Sequence, residues 1–207
     1  MRIKLAAACL ATVALLLTGC QDATQHPTGA QSGAPAGQSL WHLGSKSHTG
    51  KALPDSDPDV AAIKTLVAAQ SAVVDRRTAR TVAASTTKEY GFYTTRLAVS
   101  LRNENYGGKL SGLFQDNGLS TEPLKTGWYA STITQDRTSA RVEMDSTFEF
   151  TAAKPAYLRA NGLATNTPYT QRRVIGLKKV DGTWLIDSLQ KYPLTRAPAA
   201  PGSNPAS

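Results

Sequence analysis

Cysteine and histidine are almost missing from this chain: two cysteines, Cys9 and Cys20, and three histidines, His26, His42 and His48, in 207 residues. All five precede Pro58. From there onward no thiol or imidazole is available, so neither a Ser-His-Asp nor a Cys-His apparatus can be assembled from the later residues. The usual zinc sites draw on the same side chains and are excluded with them. No disulfide can staple that part of the chain, and its stability must come from its core. Glycine-rich phosphate loops are lacking too, because Tyr106-Gly107-Gly108-Lys109 does not have P-loop spacing. Asp116-Asn117-Gly118 stands without the further acidic ligands that a calcium loop needs at fixed intervals. No metal or cofactor is expected.

Long apolar runs are also scarce, with one exception at the N-terminus. Arg2 and Lys4 open a run from Leu5 to Leu17 interrupted only by Cys9 and Thr12. That length suits the apolar part of a signal peptide. A membrane-spanning helix needs about 20 such residues. The run ends in Leu17-Thr18-Gly19-Cys20, which resembles the bacterial lipobox: Leu, a small residue, Gly or Ala, then Cys. The resemblance implies removal of residues 1–19 as a signal peptide and a diacylglycerol on the Cys20 thiol. Two or more acyl chains, at about 0.8 kcal/mol per buried methylene, anchor a protein stably. The expected setting is therefore the outer face of the cell membrane.

The formal charge of +8 raises the question of nucleic acid, but no dense basic cluster supports that partner. Arg76-Arg77, Arg172-Arg173 and Lys178-Lys179 are pairs scattered along the chain, and they read as solvated surface. Residues 20–58 are rich in Gly, Ser, Thr, Gln, Ala and Pro and read as a disordered tether behind the lipid. Ser39-Leu40-Trp41-His42-Leu43 interrupts it as an apolar patch resting on the domain. Residues 196–207 read as a disordered tail, which leaves residues 59–195 as one α+β domain.

Asp57 can cap a helix with Pro58 at its first position. Val60, Ile63, Val67 and Val74 then recur at helical spacing, giving one apolar face. Thr86 with Glu89 three residues on has the form of a capping box, and Tyr90, Tyr93, Leu97 and Leu101 continue as a stripe. Residues 110–124 show neither period clearly. From Trp128 the period becomes two: Ala140, Val142, Met144, Phe148 and Phe150 alternate with polar residues, as in a half-buried antiparallel strand. Residues 127–135 read as the strand before it, turning through Asp136-Arg137-Thr138. Arg173, Ile175, Leu177 and Lys179 lead into Asp181-Gly182, a hairpin signal, and Trp184, Ile186 and Ser188 lead out. Residues 155–168 read as a connection.

Helices first and antiparallel strands second predict N-terminal helices packed on a curved antiparallel sheet. The hairpin around Asp136 with Ala140-Arg141-Val142, and the ending from Arg173 through Asp181-Gly182-Thr183-Trp184 to Ile186, resemble the nuclear-transport-factor-2-like superfamily of cystatin-like cones. Enzymes of that superfamily use an Asp or His base inside the cone. Here Glu143, Asp145 and Glu149 share the strand face opposite Val142 and Met144 and are expected in water, where they would not act as bases. Phe148 and Trp184 are expected in the core. Tyr93 and Trp128 are the candidates to line an open cone and accept a small apolar ligand. The resemblance implies a non-catalytic binding or assembly module of the cell envelope, partnered by the membrane and an envelope protein. The alternative is an isomerase or dehydratase using a carboxylate in the cone.

Overall fold

Asp57 caps the first helix as its position suggests, its carboxylate accepting from the backbone N–H of Asp59 at 3.0 Å and of Val60 at 3.4 Å. Pro58 follows at the start of that helix, where its missing N–H costs nothing. The computed structural model describes residues 40–44 and 50–198. Cys20, the signal segment, the remaining tether residues and the tail beyond 198 lie outside the described residues.

The first helix, α1 (Pro58–Asp75), buries Val60, Ile63 and Val67 completely. Each such side chain contributes about 1.5–3 kcal/mol relative to exposure. The next helix, α2 (Val82–Tyr90), begins before the expected start at Thr86. Thr86 lies inside it and donates its hydroxyl to the Val82 carbonyl at 2.8 Å. The stripe from Tyr90 to Leu101 is not one helix, because Thr94 caps a new one, α3 (Thr95–Asn103), by accepting from the Leu97 N–H at 3.3 Å. The stretch without a clear period holds the helix α4 (Tyr106–Asn117), ended by Gly118 in the left-handed region at φ 60°, and the start of a strand.

Seven strands form one sheet: β1 (Trp41–Leu43), β2 (Lys51–Leu53), β3 (Ser120–Trp128), β4 (Ser131–Ile133), β5 (Ser139–Ala152), β6 (Pro168–Val180) and β7 (Thr183–Arg196). The order is β2-β1-β4-β5-β6-β7, with β3 also paired to β5. All pairings are antiparallel except β1 with β4. The strand expected over residues 127–135 is thus two strands, and both lie along β5. The connection over residues 155–168 contains a short helix, α5 (Pro155–Asn161). Asp181 and Gly182 turn between β6 and β7 with φ of 48° and 78°, the positive pair that a two-residue hairpin requires.

The beginning of the folded unit differs from the expected Asp59. Part of the segment assigned to the tether is β1 and β2, and Trp41 is 1% exposed, its ring 6.3 Å from that of Trp128. Average composition hid this. Trp41 and Leu53 are both in the core, with Leu40 and Leu43 packed against it, and this apolar burial offsets the ordering of a short hairpin. His42 sits in β1, so the folded part does contain a histidine. Its Nδ1 is buried without a hydrogen-bond partner.

Asp59 joins the start of α1 to two hairpin ends. Its carboxylate accepts from Lys179, from Arg137 Nη1 at 2.7 Å and from Trp184 Nε1 at 2.9 Å, while Arg137 also holds Asp57 through two bonds of 3.0 and 2.9 Å. Burial opposes the charge of Asp59, but the bonds from Lys179, Arg137 and Trp184 outweigh it and hold the pKa at about 2. A carboxyl lowered on folding stabilises the protein above its unfolded value of 3.8 and loses that contribution as pH falls through about 2. Asp59→Asn removes about 2 kcal/mol at neutral pH and flattens the loss of stability between pH 5 and 2. Urea unfolding of both proteins across that range measures it; parallel acid limbs would contradict the assignment.

Candidate functional site

Between the helices and the sheet, the interior is polar in one region. Asp75, at the end of α1, is 4% exposed and faces Arg173 on β6, itself 1% exposed. The guanidinium donates to both carboxylate oxygens, Nη1 to Oδ2 at 3.0 Å and Nη2 to Oδ1. Ser146 of β5 donates to Asp75 as well, and Gln171 accepts from Arg173 Nε at 3.2 Å. This is the two-pronged geometry that suits guanidinium to carboxylate.

A second pair lies close by. Arg77, 2% exposed, donates to Glu89, 1% exposed, and to Ser85 Oγ at 2.8 Å. The Tyr93 hydroxyl donates to Glu89 Oε1, and the Tyr106 hydroxyl lies 3.3 Å from both Glu89 oxygens. Gln70 Nε2 donates to Tyr93 at 3.2 Å, while Gln70 Oε1 is buried without a partner. Burial first, and the Glu89 charge second, push the Tyr93 and Tyr106 hydroxyls above the usual phenol value. Both remain protonated donors at neutral pH.

A fifth charge completes the group. In the β6 to β7 ladder Lys191 stands opposite Arg173, and directly opposed residues share a sheet face. Leu189, opposite Ile175, and Leu194, opposite Gln171, lie on that same face. The two-residue step from Gln171 to Arg173 faces a three-residue step on β7, a bulge that returns Leu194 to the interior side. Lys191 is exposed, and its ammonium has no hydrogen-bond or ion-pair partner among the described residues. Burial, then the Arg173 charge, hold its pKa down to about 8.

The two carboxylates of this cluster are both paired. Each interior carboxylate is occupied by a guanidinium, so neither is a lone desolvated acid of the kind that serves as a base. Glu143, Asp145 and Glu149 lie on the strand face opposite Val142 and Met144, as the alternation requires. They are half-buried, and Asp145 accepts from the Tyr129 hydroxyl and from Arg172 Nε, both at 2.6 Å. Among the described residues no group of three or more His, Cys, Asp and Glu gathers as a metal site. Nor is any described helix long and apolar enough to cross a membrane.

Tyr93 is 5% exposed with its hydroxyl taken up by Glu89 and Gln70, and Trp128 is half-buried against Trp41 with Lys64 Nζ 5.9 Å from its ring. Phe148 and Trp184 are buried. The basic pairs are corrected: Arg77 and Arg173 are interior, while their neighbours reach outward, Arg76 to Glu122 and Arg172 to Asp145. A signal for Arg173 was present, since it has the strand parity of Ile175 and Leu177. Glu89 was obscured by its resemblance to a capping partner.

Helices packed on one face of a curved, mostly antiparallel sheet make the α+β cone expected from the sequence. No family model matches the chain, and no curated protein does. Among solved structures it is similar to an IcmL-like type IV secretion system protein from Legionella pneumophila, with TM-score 0.51 and 13% identity over 70% of this chain and 100% of that one. VirB8 of Agrobacterium tumefaciens gives TM-score 0.42 and 10% identity over 72% and 99% of the two chains. The intermembrane space region of the chloroplast protein ARC6 gives 0.40 and 15% over 67% and 98%. Of these three, the Legionella protein reaches the level of a shared fold, and at 13% identity the likeness is one of fold alone.

Proposed function

We propose that the chain is a membrane-anchored lipoprotein of the extracytoplasmic face whose cone is a non-catalytic binding or assembly module of the cell envelope. The observation that carries the non-catalytic part is the pairing of both interior carboxylates with buried guanidiniums. An isomerase or dehydratase would need one of them released, at the cost of leaving a buried charge alone. The envelope setting is supported by the order of positive charge, apolar run and lipobox ending at Cys20, with residues 1–19 as the removed signal. The fold is also used by a protein described as belonging to a type IV secretion system, which fits a role in assembly. Anchor and domain together suit a protein partner held near the membrane.

Val99, Leu113, Leu124 and Val180 are the large apolar side chains most exposed among the described residues, and they sample separate parts of the surface at which a partner could be caught. A photo-crosslinking residue placed at each in turn, activated in intact cells, is expected to give a discrete and reproducible adduct at one or more positions in the membrane fraction. Absence of an adduct at all four contradicts an assembly role.

A further inference from the structure

We propose that residues 153–167, the crossover from β5 to β6 that carries α5, form a lid over the aromatic end of the cone and open locally while the sheet stays paired. Every other described helix buries at least one side chain, and α5 buries none. Its hold on the domain is correspondingly slight. Tyr157 rests half-buried on the cluster of Val82, Phe114 and Leu119, and Leu163 rests half-buried on Phe148, Phe150 and Tyr169. The polar ties run from the Ala164 N–H to the Tyr169 hydroxyl at 2.9 Å, from the Asn166 N–H to the Phe150 carbonyl at 2.9 Å and from the Lys154 N–H to the Asn117 carbonyl at 2.8 Å. Lys154 and Arg159 are exposed, and neither forms an ion pair among the described residues.

The segment is bounded so that it opens as one unit. Gly162 ends α5 at φ 63° with no atom within 4 Å of the place a Cβ would take, and Asn166 turns the chain toward β6 at φ 51°. The last turn of α5 closes on itself, the Gly162 N–H bonding to the Arg159 carbonyl at 3.3 Å and the Leu163 N–H to the Leu158 carbonyl at 2.9 Å, as a left-handed glycine cap allows. Seven residues are too few to stay helical alone in water. Once Tyr157 and Leu163 leave their clusters the helix melts with them, and the amides of Leu158, Gly162, Leu163 and Ala164 lose protection together. β5 and β6 remain joined from Ser139 opposite Lys178 to Glu149 opposite Pro168. Opening therefore uncovers the sides of both apolar clusters on which the lid rests, in a minor state of the folded chain.

Amide hydrogen exchange of the full chain, read on peptides from residues 153–167, from β5 and from β6, tests this. The lid amides are expected to exchange at least about a hundredfold faster than those of the two strands, at a rate nearly independent of low urea, because a local opening exposes little surface. Leu163→Ala is expected to speed lid exchange about tenfold. Val142→Ala, at a main-core position 0% exposed, is expected to speed the strands by about the same factor and leave the lid rate unchanged, since its contacts persist while the lid is open. If the Val142 variant does not fold, the urea dependence of the native chain decides. Lid amides as protected as the strands or with no protection at all, a urea dependence matching that of the strands, an unaltered lid rate in Leu163→Ala, or an equal response of lid and strands to Val142→Ala overturns the proposal. Its failure leaves anchor and protein partner untouched, because neither depends on this segment.

Discussion

Arg173→Met is expected to destabilise the protein by about 3–5 kcal/mol, because it leaves the Asp75 carboxylate buried with no opposing charge. Asp75 would keep the Ser146 hydroxyl as a donor, which is too little to hold an ion away from water. Adding Asp75→Leu removes the stranded charge and is expected to recover most of the loss, since buried pairs replaced together by apolar groups of similar volume are often neutral. The double-mutant cycle therefore gives a large coupling with the sign of mutual dependence. A pair in open water would show each single change costing under about 1 kcal/mol and no recovery in the double variant. Urea unfolding of the native chain and the three variants separates the two outcomes.

That a barely exposed ion pair sits inside the cone bears on function as well as stability. An apolar interior would serve packing alone. Two guanidinium-carboxylate pairs fix the positions of α1, α2 and the sheet relative to one another through directional bonds, and they bring charge close to Lys191. Rigid placement of that kind lowers the ordering cost when a ligand or partner binds.

The fold was legible where local chemistry fixes geometry. Asp57-Pro58 and the apolar stripe beyond it define α1; Asp181-Gly182 defines the last hairpin; the alternation from Ala140 to Phe150 defines the faces of β5. The start of the domain was not, because β1 is three residues long and its pairing with β4 is parallel and distant in sequence. A strand that short carries no usable period. The split of the second helical region at Thr94 was hidden because Tyr90, Tyr93, Leu97 and Leu101 keep helical spacing across the break.

The site was less legible than the fold. Arg173 and Arg77 looked like members of basic surface pairs, and only the parity of Arg173 with Ile175 pointed inward. Lys191 needed the bulge in the β6 to β7 register before its face could be assigned. Which carboxylate meets which guanidinium is a matter of tertiary placement, with Asp75 and Arg173 far apart in the chain. No spacing rule could have joined them.

Cys20 carries the largest functional expectation. Two acyl chains on a lipid at Cys20 would bury many methylenes, each worth about 0.8 kcal/mol, and their sum would exceed what scattered surface lysines could supply. With the thiol removed there is nothing to acylate, and no described helix is long and apolar enough to cross the membrane in its place. The most direct measurement is metabolic labelling with palmitate, followed by membrane fractionation, of the native chain and Cys20→Ala. Label and membrane association are both expected in the native chain and both lost in the variant. A Cys20→Ala protein that still incorporates palmitate and sediments with membranes as the native one does would contradict the account.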